Sequence, residues 1–228
     1  MSAQPAAPDL DRPADLDSLT PVPDICDVTL PLRLLLLRGV SFALATVVGA
    51  QGVAVRRVGT VMVVPESGEA IGSSRCGCLD GAIRDPAAEV LVTGTGRLGR
   101  FEIDEDAASY IGLAGRISLD VHAMRVTAGD RWFECMLRYL ASGGPAVVLI
   151  GIRGVSGCAE IGPDRVAGWL SWAELPQSVI VDACRMLGHP SYARKHYGLG
   201  GEWGRNGAEV WMESHLGGFG STERSGRA

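Results

Sequence analysis

Leu32-Arg33-Leu34-Leu35-Leu36-Leu37-Arg38-Gly39, followed by Phe42-Ala43-Leu44-Ala45-Thr46-Val47-Val48, reads as a helix, a glycine stop and an apolar strand. The same order returns further along the chain, as Trp132 to Ala141, Gly143, and Ala146 to Ile150. Glycine just past a helix supplies the left-handed residue that ends it. The two strands also end alike, with Val48-Gly49 and Gly52 set against Ile150-Gly151 and Gly154.

Working outward, Thr60-Val61-Met62-Val63-Val64 is strand-like, and Gly68-Glu69-Ala70-Ile71-Gly72 lies opposite Asp164-Arg165-Val166-Ala167-Gly168. A helix is expected after each. Ile83, Ala87 and Leu91 align with Val179, Ala183 and Leu187, spaced i, i+4, i+8 on one face. Short strands follow, Arg100 to Ile103 opposite His196 to Leu199, and each copy closes on a strand, Ile117 to His122 and Val210 to His215. The expectation is an α/β fold: two pseudo-repeated helix-strand-strand-helix-strand-strand halves with mixed sheets, packed as one compact domain. The first repeat covers 26–125 and the second, degenerate repeat 126–216. Residues 1–25, acidic and proline-rich, and 217–228 read as disordered tails.

Composition narrows the partners. The 228 residues are 46% hydrophobic and carry a formal net charge of −5. That supports a sizeable core and leaves no basic surplus to neutralise a nucleic-acid backbone. The acidic start has no apolar run of the kind a secretory signal needs. The most apolar stretch, Leu34 to Ala50, is broken by Arg38 and Gly39 and is too short to cross a membrane. A cytoplasmic location is therefore expected, and with it reduced thiols at Cys26, Cys76, Cys78, Cys135, Cys158 and Cys184.

Chemistry gathers in Gly72-Ser73-Ser74-Arg75-Cys76-Gly77-Cys78-Leu79-Asp80-Gly81, between a strand and a helix start. Unpaired N–H groups and a partial positive charge at a helix N-terminus suit a bound anion and lower the pKa of a nearby thiol. Cys78 lies nearest the helix start; Cys76 reads as a filler in a tight turn. Arg56 and Arg57, before Gly59, are either phosphate-binding forks or solvated surface arginines. Asp80 reads as a helix cap, and Asp104-Glu105-Asp106 as a charged loop. His122 and His215 sit at equivalent strand ends, which favours a structural role. Cys76, Cys78 and His122 lack the paired spacing of a zinc site, so no metal is assigned. Cys135 and Cys184 fall in apolar helix patterns and read as core residues. At the place of the cysteine loop the second copy reads Gly168-Trp169-Leu170-Ser171-Trp172, which makes that half structural or partner-binding.

Ala43 to Gly49, then Gly52, Arg56 and Gly59, then Gly72-Ser73 and Gly77-Cys78-Leu79-Asp80, then Asp104-Glu105-Asp106 with Gly112-Leu113, resemble in order the N-terminal domain of the XdhC/CoxI family. Its members are accessory factors for molybdenum hydroxylases such as xanthine dehydrogenase and aerobic CO dehydrogenase. The resemblance covers 40–124 and continues to Glu209-Val210-Trp211-Met212-Glu213, similar to the strand before the family's second domain. It implies transient binding of the molybdenum cofactor and its delivery to the hydroxylase large subunit. Cys78 would be the soft contact; Gly72, Ser73, Gly77, Arg56 and Arg75 would form the phosphate-binding surface. The chain departs from the pattern at Cys76, where the family has glycine, and at Asp80, where it has Glu. Gly112-Leu113-Ala114-Gly115-Arg116 also lacks the family's Cys-Gly-Gly element. With no Gly-x-Gly-x-x-Gly fingerprint after Glu213, a separate Rossmann-like accessory protein is an implied partner. Trp169, Trp172, Trp203 and Trp211, if exposed, would favour a homodimer. The leading reading is a cofactor chaperone rather than an enzyme. The alternatives are a thiol enzyme using Cys78 for sulfur transfer or redox chemistry, and a degenerate interaction module.

Overall fold

The computed structural model describes residues 25, 28–52, 58–67, 69–72, 77–110, 114–171, 174–198 and 207–216, with backbone only at 77–79, 82 and 132. In chain order the elements are α1 (Thr29–Leu37), β1 (Phe42–Gln51), β2 (Val61–Pro65), α2 (Gly77–Thr93), β3 (Arg97–Ile103), α3 (Glu105–Tyr110) and β4 (Ile117–Val126). There follow α4 (Arg131–Ala141), β5 (Ala146–Arg153), β6 (Gly157–Ile161), β7 (Val166–Leu170), α5 (Gln177–Met186), β8 (Tyr192–Tyr197) and β9 (Ala208–His215). Gly39 (φ 70) and Gly143 (φ 78) end α1 and α4 in the left-handed region, where a side chain would be strained.

The strands form two sheets, ordered β2-β1-β4-β3 and β7-β6-β5-β9-β8. An antiparallel bridge between Val63 and Ile71 extends the first sheet beside β2, where β7 stands beside β6 in the second. Every pairing between named strands is antiparallel, so the sheets are not mixed. A strand–helix–strand rhythm gives parallel neighbours when the helix returns the chain beside the strand it left. Here α2 and α5 each carry the chain to the far edge of the sheet instead, and a long strand then inserts between the edge and the centre.

Side-chain alternation along the central strands builds three apolar layers. Phe42, Leu44 and Val48 of β1 meet Val148, Ile150 and Ile152 of β5 in a core between the sheets, completed by Leu32 of α1 and Phe133, Met136 and Leu137 of α4. The Phe42 and Phe133 rings lie 6.0 Å apart and tilted by 58°. Ala43, Ala45 and Val47 point the other way, onto Ile83, Ala87 and Val90 of α2. Val147 and Leu149 likewise pack against Val179 and Ala183 of α5. Burial on both faces explains why β1 and β5 read as unbroken apolar runs.

Several details differ from the sequence reading. The strand expected at 68–72 is reduced to the single bridge at Ile71, and its expected partner at 164–168 is shifted to β7. β6 and α3 were not anticipated; β6 interrupts its apolar pattern with the fully buried Glu160. Cys135 and Cys184 are exposed rather than core, because each sits one position off the buried stripe, beside Met136 and Ala183. His122 and His215 are not equivalent. His122 pairs with Thr46 and Leu98 in mid-strand, the place Trp211 takes between Ile150 and Arg194, while His215 pairs with Ala146 at a strand end. Trp211 is buried and Trp169 is 55% exposed; Trp172 and Trp203 lie outside the described residues.

Candidate functional site

The glycine–cysteine segment begins where the chain leaves the Val63–Ile71 bridge. Gly72 has φ +88, and a Cβ there would stand 2.7 Å from the Val61 carbonyl oxygen. Both facts require glycine, so this residue lets the segment cross the start of β2 at close range. Gly77 then opens α2, a helix of 17 residues whose first N–H groups have no helical partner. Asp80 lies inside the first turn of α2 rather than capping it, because the helix starts earlier than the sequence suggests. Arg56, Ser73, Arg75 and Cys76 lie outside the described residues, and Gly77 and Cys78 are described in backbone alone.

Gly59 anchors the other glycine-punctuated loop. Its N–H donates to the Val47 carbonyl at 2.8 Å, and with φ +88 a Cβ would come within 2.5 Å of Glu213 Oε1 on β9. Gly59 itself therefore packs closely against the second sheet. Asp104 does not belong to a plain charged loop: its Oδ1 accepts from the Ala107 N–H at 2.8 Å and so caps α3. No group of three metal-ligating side chains occurs among the described residues. His122 is buried, and burial lowers its pKa to about 4, so its ring is neutral at pH 7. Cys158 is also buried, and burial raises its thiol to about 12, which leaves it inert.

Sequence reasoning missed a second constellation. Asp120 on β4 is buried, yet it accepts from Arg100 Nε (2.7 Å) and Nη2 (3.0 Å) on β3. Arg194 on β8 reaches it from the other sheet, with Nη1 at 2.5 Å, and donates through Nε to the buried Glu209 of β9. The Arg100 hydrogen bond holds the Asp120 carboxyl below its ordinary value, against the opposing effect of burial. Burial alone would lower the Arg194 pKa, but Glu209 and Asp120 outweigh it and raise it. Gly49 on β1 makes the bridge sterically feasible: a Cβ there would lie 3.2 Å from Asp120 Oδ2 and 3.4 Å from Arg194 Nη1. Arg153 and His196 join at the Glu209 side, at 3.7 Å and 3.3 Å. Together with Leu98 these side chains line an open cleft of about 590 Å³ between the sheets. The available signal was a carboxylate at an inward position of an apolar strand, which must find a cation.

The chain is similar to a crystal structure described as a xanthine dehydrogenase from Bacillus halodurans, at 17% identity and a TM-score of 0.52. The match takes in 83% of this chain and 52% of the other, so the chain spans about half of that protein's length, and at this identity the two share a fold. No curated protein matches the chain. The model of the XdhC and CoxI family matches residues 35–102, from the last turn of α1 through most of β3. The likeness of this chain to the XdhC and CoxI family therefore lies in residues 35–102.

Proposed function

We propose that this protein is an accessory factor for a molybdenum hydroxylase of the xanthine dehydrogenase or CO dehydrogenase type. On this reading it holds the molybdenum cofactor transiently and hands it to the large subunit of the apo-enzyme. The observation that carries the reading is the family match over 35–102, which contains both glycine-punctuated loops and Cys78. The donor chemistry fits the group: a helix N-terminus and arginines suit its phosphate, and a thiolate suits its metal or sulfur. In that assignment Cys78 is the soft contact, and Gly72, Ser73, Gly77, Arg56 and Arg75 surround the phosphate. When bound, the cofactor supplies the redox-active molybdenum; this chain's part is to hold and orient it, without turnover.

In the same reading, residues 26–125 carry the cofactor loop and 126–216 form the second unit. Exposed Trp169 favours that unit as a docking surface, for the hydroxylase, for a separate Rossmann-like accessory protein or for a second copy in a homodimer. The setting is the cytoplasm. No described helix is long and apolar enough to cross a membrane. The test is anaerobic titration of wild type and Cys78→Ala with molybdenum cofactor. Stoichiometric binding that weakens at least tenfold, about 1.4 kcal/mol, in the variant supports the reading. Equal binding by both removes Cys78 from the site, and binding by neither overturns cofactor holding.

A further inference from the structure

We propose that the cleft between the sheets binds a phosphate monoester, a role separate from that of the cysteine loop. Its charge is unbalanced in a specific way. Asp120 and Glu209 are buried and share Arg194, whose Nη1 and Nε they occupy. That bridge accounts for one arginine, yet two more line the same wall. Arg100 spends Nε and Nη2 on Asp120, but its side chain is 61% exposed, and its other N–H groups make no hydrogen bond among the described residues. Arg153 is 69% exposed; its Nε stands 3.7 Å from Glu209, beyond hydrogen-bond reach, and it makes no hydrogen bond among the described residues.

Three guanidiniums against two carboxylates leave a positive surplus in the lining of the cleft, and two of the three arginines, Arg100 and Arg153, are exposed. The carboxylates are already held by arginine, which excludes a cation and leaves an anion as the ligand. Planar guanidinium forks donate to two oxygens of a tetrahedral oxyanion at once. The cleft, about 590 Å³, is far larger than one such oxyanion, and Leu98 gives it an apolar wall for the organic part of an ester. The residues come from β3, β4, β5, β8 and β9, so the cleft exists only when both sheets are in place. Among the side chains lining the cleft, Arg194 alone bridges the two sheets; Arg153 faces Glu209 within its own sheet, which distinguishes a ligand site from a purely structural ion network.

The experiment is calorimetric titration of the full chain, at low salt, with phenyl phosphate, inorganic phosphate and benzoate, on wild type and Arg153→Gln. The expected result is that phenyl phosphate binds wild type, that benzoate and inorganic phosphate bind at least tenfold more weakly, and that Arg153→Gln weakens the ester at least tenfold. The variant's melting temperature should change little, since the Arg153 side chain makes no hydrogen bond among the described residues. No binding of phenyl phosphate, or equal affinity in wild type and Arg153→Gln, overturns the proposal. Inorganic phosphate binding as tightly as the ester assigns the cleft to a free oxyanion and overturns the ester.

Discussion

The central strands β1 and β5 each carry a bulge opposite a buried carboxylate, and the two sheets use that place differently. In β1 the register shifts between Val47 and Gly49, and Gly49 faces Asp120. In β5 it shifts between Gly151 and Arg153, and Arg153 faces Glu209. A bulge bends the strand and re-aims a side chain. In the first sheet nothing is aimed, and the empty volume admits Arg194 from the other sheet. In the second sheet the same kink directs a guanidinium to the cleft rim. The next inward positions diverge too: β4 places His122 where β9 places Trp211, and neither His122 Nδ1 nor Trp211 Nε1 finds a hydrogen-bond partner among the described residues. One backbone plan thus supports space on one side and charge on the other.

The largest expected effect breaks the contact that joins the two sides. Arg194→Ala leaves Glu209 buried without its closest cation and Asp120 with Arg100 alone. It should cost about 3–4 kcal/mol, read as a lower urea midpoint. The next effect separates β4 from β9 by pH. An unfolded imidazole takes its proton near pH 6.5, but folded His122 does so only at about 4. Between those values the unfolded state binds more protons, so stability falls as the pH drops through that window, by about 3 kcal/mol for this residue. His122→Leu should remove that part of the acid sensitivity. Asp120, held low by Arg100, contributes above the unfolded carboxyl pKa and loses its contribution only below about 4, so the two windows are distinct. A wild-type midpoint that is flat from pH 7 to 4.5 would contradict the His122 assignment. The smallest effects test the bulges themselves. Gly49→Val should cost about 2 kcal/mol by crowding Asp120 and Arg194, while Arg153→Ala should stay within about 0.5 kcal/mol. Equal costs at the two sites would erase the difference between the sheets.

What could be read from the sequence was local. The glycine stops at Gly39 and Gly143 and the apolar runs of β1 and β5 depend on neighbours along the chain, and they stand where they were expected. The closing glycines Gly52 and Gly154 also have positive φ, and a Cβ on either would strike a carbonyl, of Arg116 or Gly207, at the start of the last strand of its sheet. Register was not legible. The pairing of Val48-Gly49 with Ile150-Gly151 slips by two residues, because β5 is shorter than β1 and the bulges place Gly49 with Arg153. Cys135 and Cys184 were misread because an apolar residue beside a buried stripe satisfies the composition but not the phase. The cleft was hidden for another reason: Arg194 and Asp120 lie 74 positions apart, and nothing local to either announces the other.

The strand order has a consequence for how the chain is made. β9 lies between β5 and β8, although both precede it in the chain. Until residues 208–215 leave the ribosome, β5 and β8 each present an open hydrogen-bonding edge, and one of these is the most apolar strand of its sheet. Unpaired edges of that kind recruit other chains. The last strand described is the one that seals the second sheet, so a nascent chain shorter than this is a candidate client for chaperones itself, and folding waits for its long-range pairing.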